Sequence, residues 1–329
     1  MASRRAVWVL WLCMVGSACG TGGRLPAGEP GEAVRTANPA ARGLTDADFP
    51  RVKRLADGVY SYEQLRSAGD ERFTTVSLFV TTDEGVLVAD GQGSVAETER
   101  LVQTIAGITN RPITHVVIGS DHGDHTGGNS AFPRNAMFLV HPTSARVLEE
   151  AGRRGGAGTF VPAFDPVPER RELRLGGREI HILFLGRAHT GGDLHVYLPR
   201  EKILFMSEAY LHRVFPAMRS AYPSEWVRVI ERAQAMDVDV YVPGHGFVDS
   251  PRMLQRELEV YRRALLAVIA EARRLHAAGV PVEQAVQQAS FGELEGWSLR
   301  ASQAAIAIRR VYQELSGELG RYGGSLPGR

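Results

Sequence analysis

Residues Val116–Gly128 read VVIGSDHGDHTGG, and this stretch decides how the whole chain is interpreted. An apolar, β-branched run stops at Gly119. The positions just after it hold two aspartates and two histidines: Asp121, His122, Asp124 and His125. Imidazole and carboxylate groups this close in sequence converge only where the backbone turns sharply, which the neighbouring glycines permit. The pattern therefore predicts a β-strand that ends in a cluster of metal ligands.

Three more residues of ligand type come later in the chain, each after a short apolar segment. They are His189 in GRAHTGGD, Glu208 in LFMSEAY and His245 in YVPGHG. Short apolar runs bounded by turn residues are typical of strands, so we expect four strand ends to deliver ligands to one rim. The alternative is that His122 and His125 are polar loop residues with no metal. That alternative leaves the repeated pattern without an explanation.

The order of these elements resembles the metallo-β-lactamase-fold superfamily, whose signature is HxHxDH followed by a lone histidine, an acidic residue and a final histidine. The resemblance covers about residues 55–250. It implies an α/β fold, the four-layer αβ/βα sandwich of that family. In this chain the sandwich is followed by a C-terminal helical extension.

The resemblance also implies two metal sites with a shared acidic ligand. It assigns position 120, His122 and His189 to the first site, Asp124, His125 and His245 to the second, and position 208 to both. Ser120 stands where the family has its first histidine, and Glu208 stands where an aspartate is usual, after Ser207 in place of glycine. A neutral hydroxyl is a poor zinc ligand beside an imidazole. We therefore expect one or two zinc ions, with the second site holding the tighter one.

Three residues near the motifs have two interpretations each. Asp121 is expected to be a solvated loop carboxylate, and a water-mediated contact to a metal is its alternative. For Asp90, which ends a predicted strand, the resemblance implies support beneath the metals, and a turn aspartate is equally compatible with the sequence. His212 is expected to be structural, with a place in the cleft as its alternative.

Two segments near the predicted rim are also open to two interpretations. Tyr210–Trp226, YLHRVFPAMRSAYPSEW, either lines an apolar pocket, with Arg213 or Arg219 meeting a carboxylate, or packs beneath a long loop. The glycine-rich residues 152–158 predict a mobile loop, with phosphate contact as the alternative.

The N-terminus carries the pattern of an export signal. Residues 1–19 place Arg4-Arg5 before an apolar run, and Gly16-Ser17-Ala18-Cys19 resembles a bacterial lipobox. We expect a periplasmic or cell-surface protein, lipid-anchored at Cys19, with ordinary secretion as the alternative. Residues 20–48 are rich in Gly, Pro, Ala and Thr, which predicts a flexible tether. No cysteine follows Cys19, so no disulfide framework holds the body together.

The body divides into a metallo-β-lactamase-fold domain, residues 49–250, and a C-terminal helical extension, residues 251–329. Apolar residues at three- and four-residue steps from Leu254 to Leu275 predict a long amphipathic helix, whose stripe is typical of a core face or of a homodimer surface. A net charge of +1 and 44% hydrophobic residues describe an ordinary globular body. No basic field indicates nucleic-acid binding.

The predicted ligands imply a reaction class. Zinc lowers the pKa of a bound water to about 7, so a hydroxide can attack a carbonyl or phosphoryl centre at neutral pH. We expect a zinc-dependent hydrolase of a small molecule, with Asp124 as ligand and as the residue that orients the hydroxide. The alternatives are an iron-dependent oxidoreductase of the same fold and a non-catalytic binding lipoprotein with a vestigial site.

Overall fold

The computed structural model describes residues 34–154 and 162–319, and within these ranges twelve strands join into one sheet. The strands are β1 Arg51–Ala56, β2 Val59–Ala68, β3 Glu71–Thr81, β4 Val86–Ala89, β5 Ile113–Val117, β6 Met137–Val140, β7 Phe164–Pro166, β8 Arg170–Leu175, β9 Arg178–Phe184, β10 Leu194–Leu198, β11 Ile203–Leu211 and β12 Val240–His245. The sheet order is β7-β6-β5-β4-β3-β12-β11-β10-β9-β8, and β2 pairs with both β1 and β3.

The sheet divides into two halves that meet at β3 and β12. The two strands share one registered pair, His245 opposite Thr75. Pairing is parallel among β4, β5, β6 and β7 and between β11 and β12, and antiparallel elsewhere. Because a strand is paired so briefly where the halves join, the sheet can fold back on itself there, and His245 lies at that fold.

Helices cover both outer faces of the folded sheet. Their bounds are α1 Val95–Ala106, α2 Gly123–Thr126, α3 Pro142–Arg153, α4 Pro223–Gln234, α5 Pro251–Ala277, α6 Val282–Gln288 and α7 Arg300–Leu315. The helix predicted from Ser94 forms as α1, and the Ser94 side chain caps it by accepting a hydrogen bond from the Glu97 amide. Its buried residues Leu101 and Ile105 pack in one core with Val88 and Val116 of the sheet.

The larger core lies between the two half-sheets and extends to the other helical layer. It contains Leu87 of the first half, Ile182 of the second, and the helix residues Trp226, Leu258 and Val311. The order of layers is helix, half-sheet, half-sheet, helix, which confirms the predicted α/β sandwich with C-terminal helices. The predicted extension shares the core of the sheet, because the buried face of α5 packs directly on it.

The chain before β1 departs from the predicted flexible tether of residues 20–48. From residue 34 onward it packs against the domain: Ala37 is fully buried, and Arg42 forms a two-point ion pair with Asp249 at 2.7 and 2.9 Å. Composition predicted flexibility because small and polar residues dominate there, but one arginine with a distant carboxylate is enough to dock the segment.

Several predicted features lie outside the described residues. They are the signal at 1–19 with Cys19, the tether from 20 to 33, positions 155–158 of the glycine-rich segment predicted at 152–158, and residues 320–329. Among the described residues, no helix combines the length and the apolar character needed to cross a membrane.

Candidate metal centre

Each predicted ligand lies at the rim where the two half-sheets meet. His122, Asp124 and His125 follow β5 and enter the short helix α2, His189 follows β9, and His245 ends β12. Glu208 differs from the prediction because it lies inside β11 rather than after it. The pairing of β11 with β12 is irregular around Ser207, and this irregularity turns the next side chain, that of Glu208, toward the rim.

The backbone at the rim is tightly constrained. Ser207 and Asp90 both adopt left-handed conformations, with φ of 47° and 63°, which are uncommon for residues other than glycine. Gly119 and Gly244 pack on Ser207 so closely that an added Cβ would lie 2.7 Å from the Ser207 Cβ and 2.4 Å from its carbonyl carbon, respectively. Glycine at both positions therefore allows the three backbone segments to approach one another.

The second site brings together Asp124, His125, Glu208 and His245. The His245 Nε2 atom lies 3.2 Å from Asp124 Oδ2, 3.2 Å from Glu208 Oε1 and 3.3 Å from His125 Nε2. Three of the four residues are almost fully buried. Two imidazole nitrogens and two carboxylate oxygens thus point at one small volume.

The first site brings together His122, His189 and Glu208. The His122 Nδ1 atom is 3.0 Å from Glu208 Oε2, and the His189 Nε2 atom is 3.0 Å from Glu208 Oε1. The two histidine nitrogens are themselves 3.0 Å apart. Glu208 belongs to both sites, as the resemblance implied for position 208.

Contacts behind the ligands fix the orientation of two imidazole rings. His245 Nδ1 lies 2.8 Å from the carbonyl oxygen of Thr74, and His125 Nδ1 lies 3.0 Å from Asp90 Oδ2. Asp90 in turn accepts hydrogen bonds from the Gly119 amide at 2.6 Å and the Ser207 hydroxyl at 2.5 Å. Such contacts leave the opposite ring nitrogen facing the site. Of the two interpretations of Asp90, the structure supports the one in which it lies beneath the ligands.

The charges of the site favour a cation. Burial lowers the pKa of His122, but Glu208 outweighs burial and raises it to about 9. For His245, the hydrogen bonds to Asp124 and Glu208 outweigh burial and raise the pKa to about 10. Burial raises the pKa of Glu208, but His189, His122 and His125 hold it well below its usual range. Without a metal, protons on imidazole nitrogens therefore balance the negative charge of the buried carboxylates.

The donor set fits a divalent metal. In both sites the ligand atoms lie within 4.8 Å of one another, and in each site two histidine nitrogens face each other at hydrogen-bond distance. Nitrogen and oxygen donors without a thiolate suit zinc and related first-row ions. A divalent cation would replace the protons that now separate these groups.

Asp121 belongs to neither group of candidate ligands, and it is half-buried instead of fully solvated as predicted. Its Oδ2 accepts a hydrogen bond from the Ser144 hydroxyl at 2.7 Å, and burial raises the pKa of its carboxyl group. Ser144 belongs to α3, which the sequence alone could not place beside the ligand loop. His212 also lies outside the site, fully buried, with Nδ1 2.7 Å from the Phe247 carbonyl oxygen.

Most large side chains of the segment Tyr210–Trp226 pack in the core. Phe215, Met218 and Trp226 are fully buried, and Arg213 pairs with Glu257. The Trp226 indole donates to the Ala209 carbonyl at 2.8 Å and meets the His189 ring edge-on at 5.1 Å. For these side chains the packing alternative is the correct one, and Trp226 packs against a candidate ligand.

Sequence reasoning missed two polar residues at the rim. Arg66 of β2 places Nε 3.6 Å from Asp124 Oδ2, and the Ser220 hydroxyl oxygen lies 3.2 Å from His122 Nε2. No motif surrounds Arg66, and Ser220 lies in the segment Tyr210–Trp226, where its aromatic and arginine neighbours drew the attention instead. An added Cβ at Gly93 would lie 2.1 Å from the Arg66 guanidinium, so glycine there makes room for the arginine.

A third group of ligand-type residues lies on the hairpin of β8 and β9, far along the sheet from the rim. Glu172, Glu179 and His181 gather there. Arg170 Nη2 lies 2.6 Å from Glu172 Oε1 and 3.2 Å from His181 Nδ1, so an arginine already provides the positive charge at this place.

Comparisons with known proteins agree with this geometry. The family model described as the metallo-beta-lactamase superfamily matches residues 69–245. The chain is 26% identical over 216 residues to the 2,4-dinitroanisole O-demethylase subunit alpha of a Nocardioides species, covering 64% of this chain and 60% of that relative's length. It is 21% identical to a metallo-beta-lactamase type 2 of a Bacillus species, covering 64% of this chain and 82% of that protein.

A solved structure shows the same fold. The metallo-beta-lactamase from Pontibacter korlensis aligns with a TM-score of 0.58 at 22% identity, and the match covers 66% of this chain and 98% of that one. The family match spans more than half of the chain and includes every ligand residue described above. The chain belongs to the metallo-beta-lactamase superfamily.

Proposed function

We propose that the protein is a zinc-dependent hydrolase of small molecules that carry an ester, thioester, lactone, amide or phosphoester bond. The single observation that carries the proposal is the convergence of six donor side chains from remote parts of the chain into two sites with Glu208 in common. Membership of the superfamily supports the same conclusion, and the fold by itself does not choose among these bonds.

The candidate ligands would have different roles in the reaction. Asp124, His125, Glu208 and His245 would hold the tighter zinc, and His122, His189 and Glu208 a weaker one. When bound, zinc supplies Lewis acidity and ionises a water at neutral pH. Asp124 turns one carboxylate oxygen toward His245, which leaves the other to accept a hydrogen bond from the attacking water and to orient it.

Arg66 lies at the open side of the second site, where it can assist the hydrolysis. Its side chain is 31% exposed and approaches Asp124 from the rim. A guanidinium there would stabilise negative charge that develops on the substrate oxygen as the bond breaks.

The test combines metal content with a substrate panel. Protein purified without added metal is analysed for zinc and iron, loaded with zinc, and assayed on ester, thioester, lactone, β-lactam and phosphodiester substrates. We expect zinc together with hydrolysis of one class. Hydrolysis and the tighter zinc should be lost in the Asp124→Asn, His245→Ala double variant and kept in His276→Gln, which changes an exposed histidine on α5. Iron with oxygen uptake, or no bound metal, would contradict the proposal.

We also propose that the protein is exported and lipid-anchored at Cys19. The support is the sequence of residues 1–19 alone. Fractionation of producing cells, with labelled palmitate, should place the label on the wild type in the membrane fraction. The Cys19→Ser variant should carry no label, and equal labelling of the two would refute the anchor. The predicted homodimer stays a prediction that light scattering of the purified body can test.

A further inference from the structure

Ser120 occupies the position of a missing ligand but makes a different contact. The residue is fully buried, and its hydroxyl donates a hydrogen bond to Glu208 Oε2 at 2.5 Å. The same hydroxyl oxygen accepts a hydrogen bond from the His122 amide at 3.3 Å. A neutral hydroxyl is a poor zinc ligand beside imidazoles, and the proton of this one is directed at Glu208, so its main effect on the site acts through Glu208.

The two carboxylate oxygens of Glu208 have separate partners. Oε2 faces the Ser120 hydroxyl and His122 Nδ1, the latter at 3.0 Å. Oε1 faces His189 Nε2 at 3.0 Å and His245 Nε2 at 3.2 Å. The carboxylate therefore bridges the two sites, and the Ser120 hydrogen bond fixes the orientation of the bridge.

The backbone next to Glu208 is closely packed. Gly119 and Gly244 contact Ser207 from two sides, so closely that an added Cβ at either glycine would clash with it. Glutamate is one methylene longer than aspartate, and serine is much smaller than histidine. The longer side chain of Glu208 thus enters space that Ser120 leaves open, and these two departures from the family pattern compensate for each other.

We infer that Ser120 is a positioning residue that holds Glu208 Oε2 against His122 and so maintains the first metal site in the absence of a third histidine. The inference rests on the proposed function, because it concerns how the metal is held. The first site then binds a divalent cation through two histidines and one carboxylate. The affinity of the first site depends on this hydrogen bond. The second site needs it far less, because three of its four donors do not belong to the first site.

Zinc titration in competition with a chromogenic chelator, together with metal analysis after gel filtration, tests this inference. We expect the wild type to bind two ions with unequal affinities. The Ser120→Ala variant should bind the weaker ion about 10- to 100-fold less tightly, the range found when a partner of a metal ligand is removed. The tighter ion should change by less than about threefold, well below that range.

Paired variants separate positioning from space filling. Glu208→Asp alone should weaken the first site, because the shorter acid cannot keep both contacts. The Ser120→His, Glu208→Asp double variant should recover two-ion binding, and Ser120→Thr, which keeps the hydroxyl, should stay close to the wild type. Ser61→Ala is the matched control, since Ser61 is fully buried in β2 and its hydroxyl has no partner in the described part of the chain.

The outcomes distinguish this inference from the proposed function. If the wild type binds no metal, the proposed function itself fails. If the wild type binds two ions and Ser120→Ala binds both with unchanged affinities, only the inference is wrong. A wild type that binds a single ion would also overturn the inference and leave the hydrolase proposal standing. Thermal melting of the metal-free variants checks that each one is folded.

Discussion

Two clusters of histidine and carboxylate in this protein are built differently. The metal cluster is formed by the candidate ligands of the first and second sites and includes His245. The arginine cluster, which we define as Arg42, His212, Arg213, Asp249 and Glu257, includes a carboxylate only four positions after His245. In the arginine cluster, Asp249 pairs with Arg42 and Glu257 pairs with Arg213. In the metal cluster, histidine nitrogens face the carboxylates, and Arg66 approaches only from the rim.

The two clusters show what distinguishes a candidate metal site from a structural cluster of the same residue types. His212 lies 3.8 Å from Asp249 and 3.7 Å from Glu257, so this cluster also contains a histidine between two acids. An arginine keeps its charge throughout the physiological range, and its two-point pairing leaves each acid neutralised. The carboxylates of the metal cluster depend on protonated imidazoles, which can give up their protons to a metal.

The largest effect is expected when a ligand of the second site is removed. His245→Ala should reduce zinc-dependent hydrolysis by more than about 100-fold, beyond the usual loss for residues behind the ligands. The reason is that two of the four donors, Asp124 and Glu208, lose the partner that they face. Steady-state kinetics measure the loss, with the His276→Gln variant as control. Activity within tenfold of the wild type would mean that the reaction does not use this site.

Breaking the arginine cluster should destabilise the fold and leave metal binding intact. Arg42→Ala removes the partner of Asp249, whose side chain is 3% exposed. Leaving a buried charge uncompensated costs about 3 to 5 kcal/mol in the free energy of unfolding. Urea denaturation measures this loss, and zinc content should stay at the wild-type level.

A surface pair serves as the control for Arg42→Ala. Arg309 pairs with Glu283, and both side chains are well exposed, so Arg309→Ala should destabilise the fold far less than Arg42→Ala. If Arg42→Ala released zinc without destabilising the protein, the proposed distinction between the clusters would be wrong.

The pH dependence of zinc binding should report the protons of the metal cluster. In the metal-free protein, contacts with carboxylates raise the pKa of His122 to about 9 and that of His245 to about 10. The same contacts stabilise the fold while the two imidazoles are protonated. This contribution to stability is fully present below the unfolded pKa near 6.5 and is lost as the pH rises through 9 to 10.

Zinc must displace these protons, so its affinity should rise with pH, by about tenfold per pH unit for each proton released. Calorimetry in buffers of different ionisation enthalpy counts the protons, and a pH-independent affinity between pH 6.5 and 8.5 would contradict the assignment.

The smallest effect concerns Asp193, a carboxylate with neither an arginine nor a metal-site histidine as its partner. It accepts hydrogen bonds from the Thr190 amide and hydroxyl, both at 2.8 Å, and burial raises its pKa to about 7. Since the folded pKa lies above the unfolded one, its contribution to stability is present below about pH 4 and is lost as the pH rises through 7.

Asp193→Asn should remove this dependence. The free energy of unfolding of the metal-free variant should fall less between pH 5 and 8 than that of the wild type, by on the order of 1 kcal/mol. Urea denaturation at the two pH values provides the measurement. Parallel pH profiles for the two proteins would show that Asp193 does not titrate in this range.

The sequence predicted the candidate ligands because each one follows a short apolar run, although Glu208 proved to lie within β11, and the glycines near the other ligands mark the turns. All six residues, His122, Asp124, His125, His189, Glu208 and His245, come together in the structure. What the sequence could not predict depends on pairs that are remote along the chain. Ser120 meets Glu208 across 88 positions and Arg42 meets Asp249 across 207. No local pattern encodes either contact.

Local composition also predicted the wrong environment at several places. Asp121 is charged and sits in a loop, which predicts exposure, but Ser144 of α3 contacts it and it is half-buried. Residues 34–48 have few large apolar side chains, which predicts flexibility, but Ala37 is buried and Arg42 pairs with Asp249. The aromatic residues of Tyr210–Trp226 fitted a pocket and a core equally well, since burial, and not residue type, separates the two.

The most direct test of the account is the zinc content of the folded protein after dialysis against micromolar zinc and gel filtration. We predict two zinc ions in the wild type. The Asp124→Asn, His245→Ala double variant should retain at most one, held by His122, His189 and Glu208. A folded wild type that keeps no zinc under these conditions would contradict the central claim that these strand ends form a metal centre.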